Sequence, residues 1–277
     1  MIAKKSLGQN FLYDKNIVRK IVRLAEVKSG DLVLEIGPGQ GILTEALLEA
    51  KARVIAVEAD EDLIPVLQNS PLFAKEGVRG SFSAEGVRGS FSLLHGDILS
   101  ATTWNKINQL VGKNKYSVVA NIPYNITSPI LETLFKTKPQ PERLTLMVQR
   151  EVADRILAKP PDMSVLAVAC QLYSTGKKLM QVSRGSFRPA PNVDSTVIRL
   201  DLRSERLGGL DPEEILKIVK VGFSSRRKQL HGNLSKAGVC SSIKVKEILK
   251  NLDLPETARA ENLTVEDWVG FCKSVKV

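Results

Sequence analysis

The sequence predicts an α/β fold, in which helices cover a parallel sheet, followed by a small all-helical C-terminal domain. Short apolar runs alternate with helical stretches as far as Leu202, a pattern typical of βαβ units in a parallel sheet. The composition changes over residues 203–209, and the stretches beyond it have helical periodicity only. We therefore expect one domain over residues 1–206 and a second over residues 207–277.

The N-terminal part supplies the first helix and three strands. Asp14 is placed to cap a helix that carries Ile17, Ile21 and Leu24 on one face. The strand segments follow in order: DLVLEIGPGQG before helical ILTEALLEA, ARVIAVEAD before helical EDLIPVLQN, and then SLLHGDIL.

The next part supplies two more strands of the same kind, YSVVANIPY and RLTLMVQ, with helical REVADRILA after the second. KLMQVSRG and NVDSTVIRLDL then predict a terminal strand pair around the loop SFRPAP. The C-terminal domain begins with Asp211 as a cap and Pro212 at the first helical position. Further helices are predicted for SIKVKEILKNL and TVEDWVGFCKSV.

Composition narrows the possible functions. The chain has 277 residues, of which 43% are hydrophobic and 25% are charged, as in globular proteins. Its apolar runs are shorter than the roughly 20 residues that span a bilayer, and no export signal is evident, so we expect no membrane partner. Three scattered cysteines and two histidines argue against disulfides and metal sites and favour a cytoplasmic location. A net charge of +10 favours a polyanionic partner such as nucleic acid.

A tandem repeat lies before the third strand. EGVRGSFS occupies residues 76–83 and recurs at residues 85–92. One duplicated copy cannot form a solenoid. We interpret it as a lengthened surface loop.

Three features point to a ligand at the carboxyl ends of the first three strands, where open parallel sheets bind ligands. Glu35 to Gly41 forms a G-x-G-x-G turn, Glu58 ends the second strand, and Asp97 ends the third. Glu58 can accept both hydrogen bonds of a ribose diol, and Asp97 can accept one from an adenine amino group. The glycine spacing differs from that of dinucleotide sites, and the turn has no P-loop lysine. We therefore predict S-adenosylmethionine as the cofactor.

The fourth strand ends in Asn121-Ile122-Pro123-Tyr124. Proline has no N–H for a sheet ladder, so this stretch is predicted to be a turn. The Asn121 side-chain oxygen and a turn carbonyl such as that of Ile122 can accept hydrogen bonds from an adenine N6 amine and free its lone pair for attack on a methyl group. Pro123 fixes the turn, and Tyr124 offers a face for the extruded base. These four residues are the predicted catalytic set.

Several motifs occur together in order: KKSLGQNFL, LEIGPGQGILTE, VEAD, HGDIL, NIPYNITSPI, VQREVADRI and FRPAPNVDSTVIRL. Together they resemble the ribosomal RNA adenine N6-dimethyltransferases over nearly the whole chain. GFSSRRKQLHGNL resembles the KsgA-type branch, which modifies two neighbouring adenosines near the 3′ end of small-subunit (16S) rRNA.

The resemblance implies a Rossmann-like class I methyltransferase sheet, with S-adenosylmethionine as the donor and small-subunit rRNA or a pre-30S particle as the partner. It also implies that Asn10, Leu12 and Asn121 line the cofactor and that Gly37 lies under its amino-acid tail. Phe187 is implied to pack on the flipped base; the alternative, from the residue alone, is a core phenylalanine. A monomer is the simplest expectation for the oligomeric state.

Arg226, Arg227 and Lys228 form a basic cluster at the start of the C-terminal domain. We predict that they bind RNA phosphates; the alternative is a solvated basic helix end.

Other functions stay open at this point. The branch that methylates large-subunit rRNA and confers macrolide resistance has the same pocket motif, although FSSRRKQL favours the small-subunit branch. A non-catalytic RNA-binding assembly factor could keep this fold, but the intact set of Asn121 to Tyr124 with Glu58 and Asp97 argues for catalysis. A DNA adenine methyltransferase is a weaker option, because its pocket often has Asp or Asn with two prolines.

Overall fold

The computed structural model describes residues 9–69, 91–225 and 227–276, and these contain two sheets and eleven α-helices besides short 3-10 turns. The strands are β1 (Phe11–Leu12), β2 (Leu32–Ile36), β3 (Arg53–Glu58), β4 (Phe91–His95), β5 (Ser117–Asn121), β6 (Arg143–Gln149), β7 (Ser174–Val182), β8 (Phe187–Arg188) and β9 (Ser195–Leu202). The helices are α1 (Lys15–Leu24), α2 (Ile42–Glu49), α3 (Ile64–Gln68), α4 (Ala101–Val111), α5 (Thr127–Lys136), α6 (Arg150–Ile156), α7 (Val165–Tyr173), α8 (Pro212–Gly222), α9 (Leu230–Lys236), α10 (Ser242–Asn251) and α11 (Val265–Lys276).

The larger sheet has the strand order β4-β3-β2-β5-β6-β9-β7. Strands β2 to β6 are parallel to one another, whereas β9 is antiparallel to β6. From β2 the chain moves outward to β3 and β4 and then returns to β5 on the other side of β2. The direction of winding therefore reverses between β2 and β5, where the carboxyl ends of the strands leave a crevice for ligands. The predicted parallel α/β sheet is confirmed.

The predicted strands and helices form close to their predicted positions, whereas helices α4, α5, α7 and α9 were not predicted. Every residue of β2 is buried, and so are all residues of β3 after Arg53, as expected for strands covered on both faces. The Asp14 carboxylate accepts hydrogen bonds from the N–H groups of Asn16 and Ile17 at 2.9 and 3.3 Å, which confirms the predicted cap of α1. Asp211 does precede α8, but its side chain makes no capping hydrogen bond.

The smaller sheet was not predicted. In it Phe11 is paired with Arg188, and Leu12 with Phe187, in antiparallel register. The sequence pattern instead predicted a loop at residues 187 and 188. The predicted terminal strand pair does form, since β9 and β7 are neighbours at the edge of the larger sheet.

The chain divides into two compact units: residues 1–153 with 177–201, and residues 154–176 with 202–277. The chain thus enters the second unit for its α7 segment and returns to the first for its last strands. This grouping differs from the predicted boundary near residue 207, because residues 154–176 group with the C-terminal helices. The division of the chain into domains of residues 1–206 and 207–277 stays a prediction.

The second unit has its own hydrophobic core around Trp268, which is completely buried. The Trp268 ring lies edge-on to Phe271 at 6.2 Å and is tilted against Phe223 at 6.1 Å between centroids. Gly222 packs directly against this core, and a Cβ at that position would lie 2.5 Å from the tip of the Trp268 indole.

We expect Gly222→Ala to lower the free energy of unfolding by about 1–3 kcal/mol, since the added methyl group must displace a buried ring. Urea unfolding followed by circular dichroism measures the change. Gly232→Ala is the matched control, because Gly232 is also helical and a Cβ there would have no neighbour within 4 Å. That variant should be neutral or more stable by up to about 1 kcal/mol. Equal effects of the two substitutions would contradict this account.

Two further expectations concern the tandem repeat and membrane-spanning helices. The tandem repeat of residues 76–92 lies outside the described residues except for Phe91 and Ser92, which begin β4. Across the described ranges, no helix combines the length and apolar character needed to cross a bilayer.

Candidate active site

A cavity of about 310 Å³ opens at the carboxyl ends of β2, β3, β4 and β5, and its volume is in the range of small-molecule sites. Its lining includes nine residues that the sequence predicts to contact the cofactor or the target: Asn10, Leu12, Gly37, Glu58, Asp97, Asn121, Ile122, Pro123 and Tyr124. The structure therefore places the predicted cofactor site and the predicted target turn in one cavity.

The glycine turn after β2 presents bare backbone to this cavity. Gly37 and Gly39 have φ values of 66° and 60°, which side chains with a Cβ rarely adopt. A Cβ on Gly39 would also lie only 3.1 Å from the ring of Phe11. The Gly37 N–H donates to the Val57 carbonyl at 2.9 Å and ties the turn to the end of β3. A ligand can therefore approach the turn closely without displacing side chains.

Glu58 is nearly fully buried, with 6% exposure, at the end of β3. Its Oε2 accepts a hydrogen bond from the Gly39 N–H at 3.0 Å, and its Oε1 accepts one from the Asp60 N–H at 2.9 Å. Burial raises the pKa of the Glu58 carboxyl, while the N–H donors of Asp60 and Gly39 lower it. Each oxygen keeps a second lone pair, so the carboxylate can still accept hydrogen bonds from a ribose diol.

Asp97 lies in the turn after β4 and is exposed. Its Oδ1 accepts a hydrogen bond from the Leu99 N–H at 2.9 Å. This bond fixes the carboxylate beside Ile98 and Leu99, which also line the cavity. The position is compatible with the predicted contact to an adenine amino group.

Asn121 is the last residue of β5, and its side-chain amide is oriented by the N-terminal segment. Nδ2 donates to the Asn10 carbonyl at 3.4 Å. Because this bond uses the amide nitrogen, Oδ1 is left as an acceptor. This is the orientation that the predicted role of Asn121 requires.

The turn after Asn121 is held by hydrogen bonds on both sides. Thr127 Oγ1 donates to the carbonyls of Pro123 and Tyr124 at 3.5 and 3.3 Å. The Tyr124 hydroxyl lies 2.6 Å from Ser195 Oγ at the start of β9. Burial raises the pKa of the Tyr124 phenol, so this hydroxyl stays neutral near pH 7. The tyrosine ring is thus fixed at both its backbone and its hydroxyl.

Glu35 is a lining residue that the sequence reasoning did not assign to the site. It has 1% exposure, and neither carboxylate oxygen has a well-formed hydrogen bond within the described residues. Burial raises its pKa to about 8, and interactions with Thr44 only partly oppose this. The sequence feature that could have identified Glu35 is an acidic residue near the end of an apolar strand, just before the glycine turn.

The raised pKa of Glu35 predicts a pH-dependent stability. Between about pH 4.5 and 8 the native carboxyl keeps a proton that the unfolded chain has lost, so stability should fall as pH rises through this window. Glu35→Gln removes this titration. Relative to the unsubstituted protein, the variant should gain about 3–5 kcal/mol of unfolding free energy between pH 4.5 and 8. Urea unfolding at several pH values measures the gain, and parallel pH curves would refute the prediction.

Three of the predicted RNA-binding residues, Phe187, Arg227 and Lys228, are not among the residues that line the cavity. Phe187 has 2% exposure and packs in the hydrophobic core of the first unit with Leu12 and Val197. Arg227 and Lys228 are exposed between α8 and α9 in the second unit. Arg226 lies outside the described residues.

Comparison with known proteins adds independent information. The family model described as "Ribosomal RNA adenine dimethylase" matches residues 2–276. Ribosomal RNA small subunit methyltransferase A of Streptococcus uberis is 39% identical over 280 residues, covering 99% of this chain and 92% of the relative. The protein of the same name from Dehalococcoides mccartyi strain BAV1 is 34% identical over 272 residues, covering 98% of this chain and 87% of the relative.

Two solved structures have a similar fold. A dimethyladenosine transferase from Plasmodium falciparum superposes with a TM-score of 0.73 at 28% identity, covering 94% of this chain and 95% of that chain. The 23S rRNA methyltransferase ErmE gives a TM-score of 0.73 at 24% identity, covering 97% of this chain and all of that chain. The ErmE similarity shows a shared fold. The sheet is therefore of the Rossmann-like class I methyltransferase type, as the resemblance implied.

Proposed function

The chain belongs to the ribosomal RNA adenine dimethylase family, and from that premise we propose that it dimethylates the N6 amines of two adjacent adenosines near the 3′ end of small-subunit rRNA. The observation that carries the proposal is the single cavity shared by the glycine turn, Glu58, Asp97 and the turn of Asn121 to Tyr124. A methyl donor and a target base can meet there.

S-adenosylmethionine is the methyl donor, and the residues present fit it. Gly37 would lie under its amino-acid tail, Glu58 would hold its ribose and Asp97 its adenine amine, with Asn10 and Leu12 along the wall. When bound, it would supply a methyl group through cleavage of the bond between that group and the sulfonium sulfur, and the rest of the donor would leave as a neutral thioether.

The turn of Asn121 to Tyr124 would prepare the target amine. Asn121 Oδ1 and the Ile122 carbonyl accept hydrogen bonds from the N6 amino group, which direct its lone pair out of the base plane. Pro123 sets the turn, and the fixed ring of Tyr124 stacks on the flipped base. The turn has no group that titrates near pH 7, so it acts by orientation instead of deprotonation.

The small-subunit substrate is favoured over the large-subunit one. Relatives at 34–39% identity over nearly the whole chain carry small-subunit names. The similarity to ErmE concerns the fold alone. A monomeric state, a cytoplasmic location, the absence of a membrane partner and a role in small-subunit assembly complete the proposal.

We propose that Arg226, Arg227 and Lys228 bind rRNA phosphates. The exposure of Arg227 and Lys228 supports this role. Replacing all three by alanine should lower the log–log salt slope of RNA binding by about three units, because each phosphate contact contributes about one unit. Filter binding at several salt concentrations measures the slope, and an unchanged slope would reject the role.

Mass spectrometry of rRNA nucleosides tests the proposed reaction. Unmethylated 16S and 23S transcripts and unmethylated 30S particles are incubated with labelled donor, and primer extension locates the modified sites. We expect N6,N6-dimethyladenosine in small-subunit rRNA only. Label confined to 23S rRNA would support the large-subunit alternative, and no label in any substrate would support a non-catalytic assembly factor.

A further inference from the structure

Tyr13 is an exposed aromatic residue with an unusually fixed position. The residue is 46% exposed, yet its N–H donates to the Ser186 carbonyl at 3.2 Å and its hydroxyl donates to the Gly185 carbonyl at 2.8 Å. Both bonds reach the segment that leads into β8. These two hydrogen bonds therefore hold Tyr13 against one segment of the chain.

Arg188 lies on the Tyr13 ring. Its guanidinium carbon is 4.6 Å from the Tyr13 centroid, a cation–π distance. Its side chain is exposed, and among the described residues no carboxylate forms an ion pair with it. In the same segment Asp194 pairs with Arg150, at 3.9 Å. Arg188 is thus a positioned cation whose charge stays available.

The pair is linked to one wall of the cavity through the two-stranded sheet. Arg188 is the register partner of Phe11, which lines the cavity and packs on Gly39. One residue before Phe11, the Asn10 carbonyl accepts a hydrogen bond from the side-chain amide of Asn121. The two-stranded sheet therefore connects Arg188 to the wall that holds Asn121.

We infer that Tyr13 and Arg188 form a phosphate-binding site for the RNA strand next to the flipped adenosine. A guanidinium held over an aromatic ring keeps N–H donors that the ring does not use, and a phosphate can accept two hydrogen bonds from them. An enzyme that extrudes a base must hold the flanking backbone. The identity of the bound strand rests on the proposed function, whereas the phosphate site itself rests on the geometry of the pair.

The test measures binding of an unmethylated transcript of the 3′ end of 16S rRNA at several salt concentrations. Arg188→Ala should raise Kd about tenfold and lower the salt slope by about one unit. Arg188→Lys should keep the slope but lose about threefold in affinity, because it keeps the charge without the planar fork. Tyr13→Ala should weaken binding, while Tyr13→Phe, which keeps the ring, should stay within twofold of the unsubstituted protein.

Arg23→Ala is the matched control, because Arg23 is exposed at the end of α1. The nearby Glu26 pairs with Arg143 at the start of β6, so Arg23 lies toward the amino ends of the parallel strands, whereas the cavity lies at their carboxyl ends. Donor affinity and thermal stability should be unchanged in Arg188→Ala, and its RNA KM should rise more than its kcat falls.

The outcomes separate the two proposals. An Arg188→Ala variant that matches Arg23→Ala in Kd and slope overturns the phosphate site, even if the unsubstituted protein methylates the transcript. If the unsubstituted protein does not methylate it but Arg188→Ala still weakens binding, the phosphate site stands and the proposed reaction fails.

Discussion

Asn121→Ala should abolish methyl transfer, with a loss in kcat of at least about 100–1,000-fold, while binding of donor and RNA largely survives. The Asn121 side chain supplies the acceptor that reshapes the target amine, and its Nδ2 is already used by Asn10. The loss should therefore fall on the chemical step. Single-turnover transfer with saturating enzyme and labelled donor isolates that step, and calorimetry with donor alone measures binding.

Asn105→Ala is the control for this variant, because Asn105 is exposed on α4. It should keep full activity. If Asn121→Ala retained full activity, the proposed role of the turn would be wrong. If it lost donor binding to the same extent as methyl transfer, Asn121 would be a cofactor residue only.

Glu58→Ala should weaken donor binding by about 100-fold or more. The substitution removes the predicted ribose acceptor and also leaves the N–H groups of Gly39 and Asp60 without their buried partner. Both effects act on the same turn, so we expect a large rise in the donor Kd. Equilibrium dialysis with labelled donor measures it, and RNA affinity serves as an internal reference because it should change little.

Glu61→Ala provides the comparison for Glu58→Ala, since Glu61 is an exposed carboxylate three residues later. It should bind the donor normally. A normal donor Kd in Glu58→Ala would show that donor binding does not depend on this carboxylate. It would also remove the main support for the proposed position of the cofactor.

The features that could be predicted depend on local sequence. β2 and β3 are apolar runs, and the cap of α1 depends on Asp14 and the three residues that follow it. The cavity was predictable for a related reason. Glu58, Asp97 and Asn121 each end or follow a parallel strand, and those ends meet at one edge of a sheet.

The features that could not be predicted depend on distant contacts. β1 and β8 have two residues each, too few for any periodic pattern, and they pair across most of the first unit. α7 groups with the C-terminal helices because of packing around residues such as Leu172 and Trp268, which its own sequence does not reveal. The burial that raises the pKa of Glu35 likewise arises only in the folded sheet.

The pairing of β1 with β8 has a consequence for biosynthesis. Phe11 and Leu12 leave the ribosome long before Phe187 and Arg188, so a nascent polypeptide that stops earlier lacks the partner strand of one cavity wall. β7 also emerges before β9, which separates it from β6. In the folded sheet β7 is an edge strand, and its exposed Lys177 and Lys178 disfavour pairing with other chains. Donor binding should thus distinguish finished polypeptides from truncated ones.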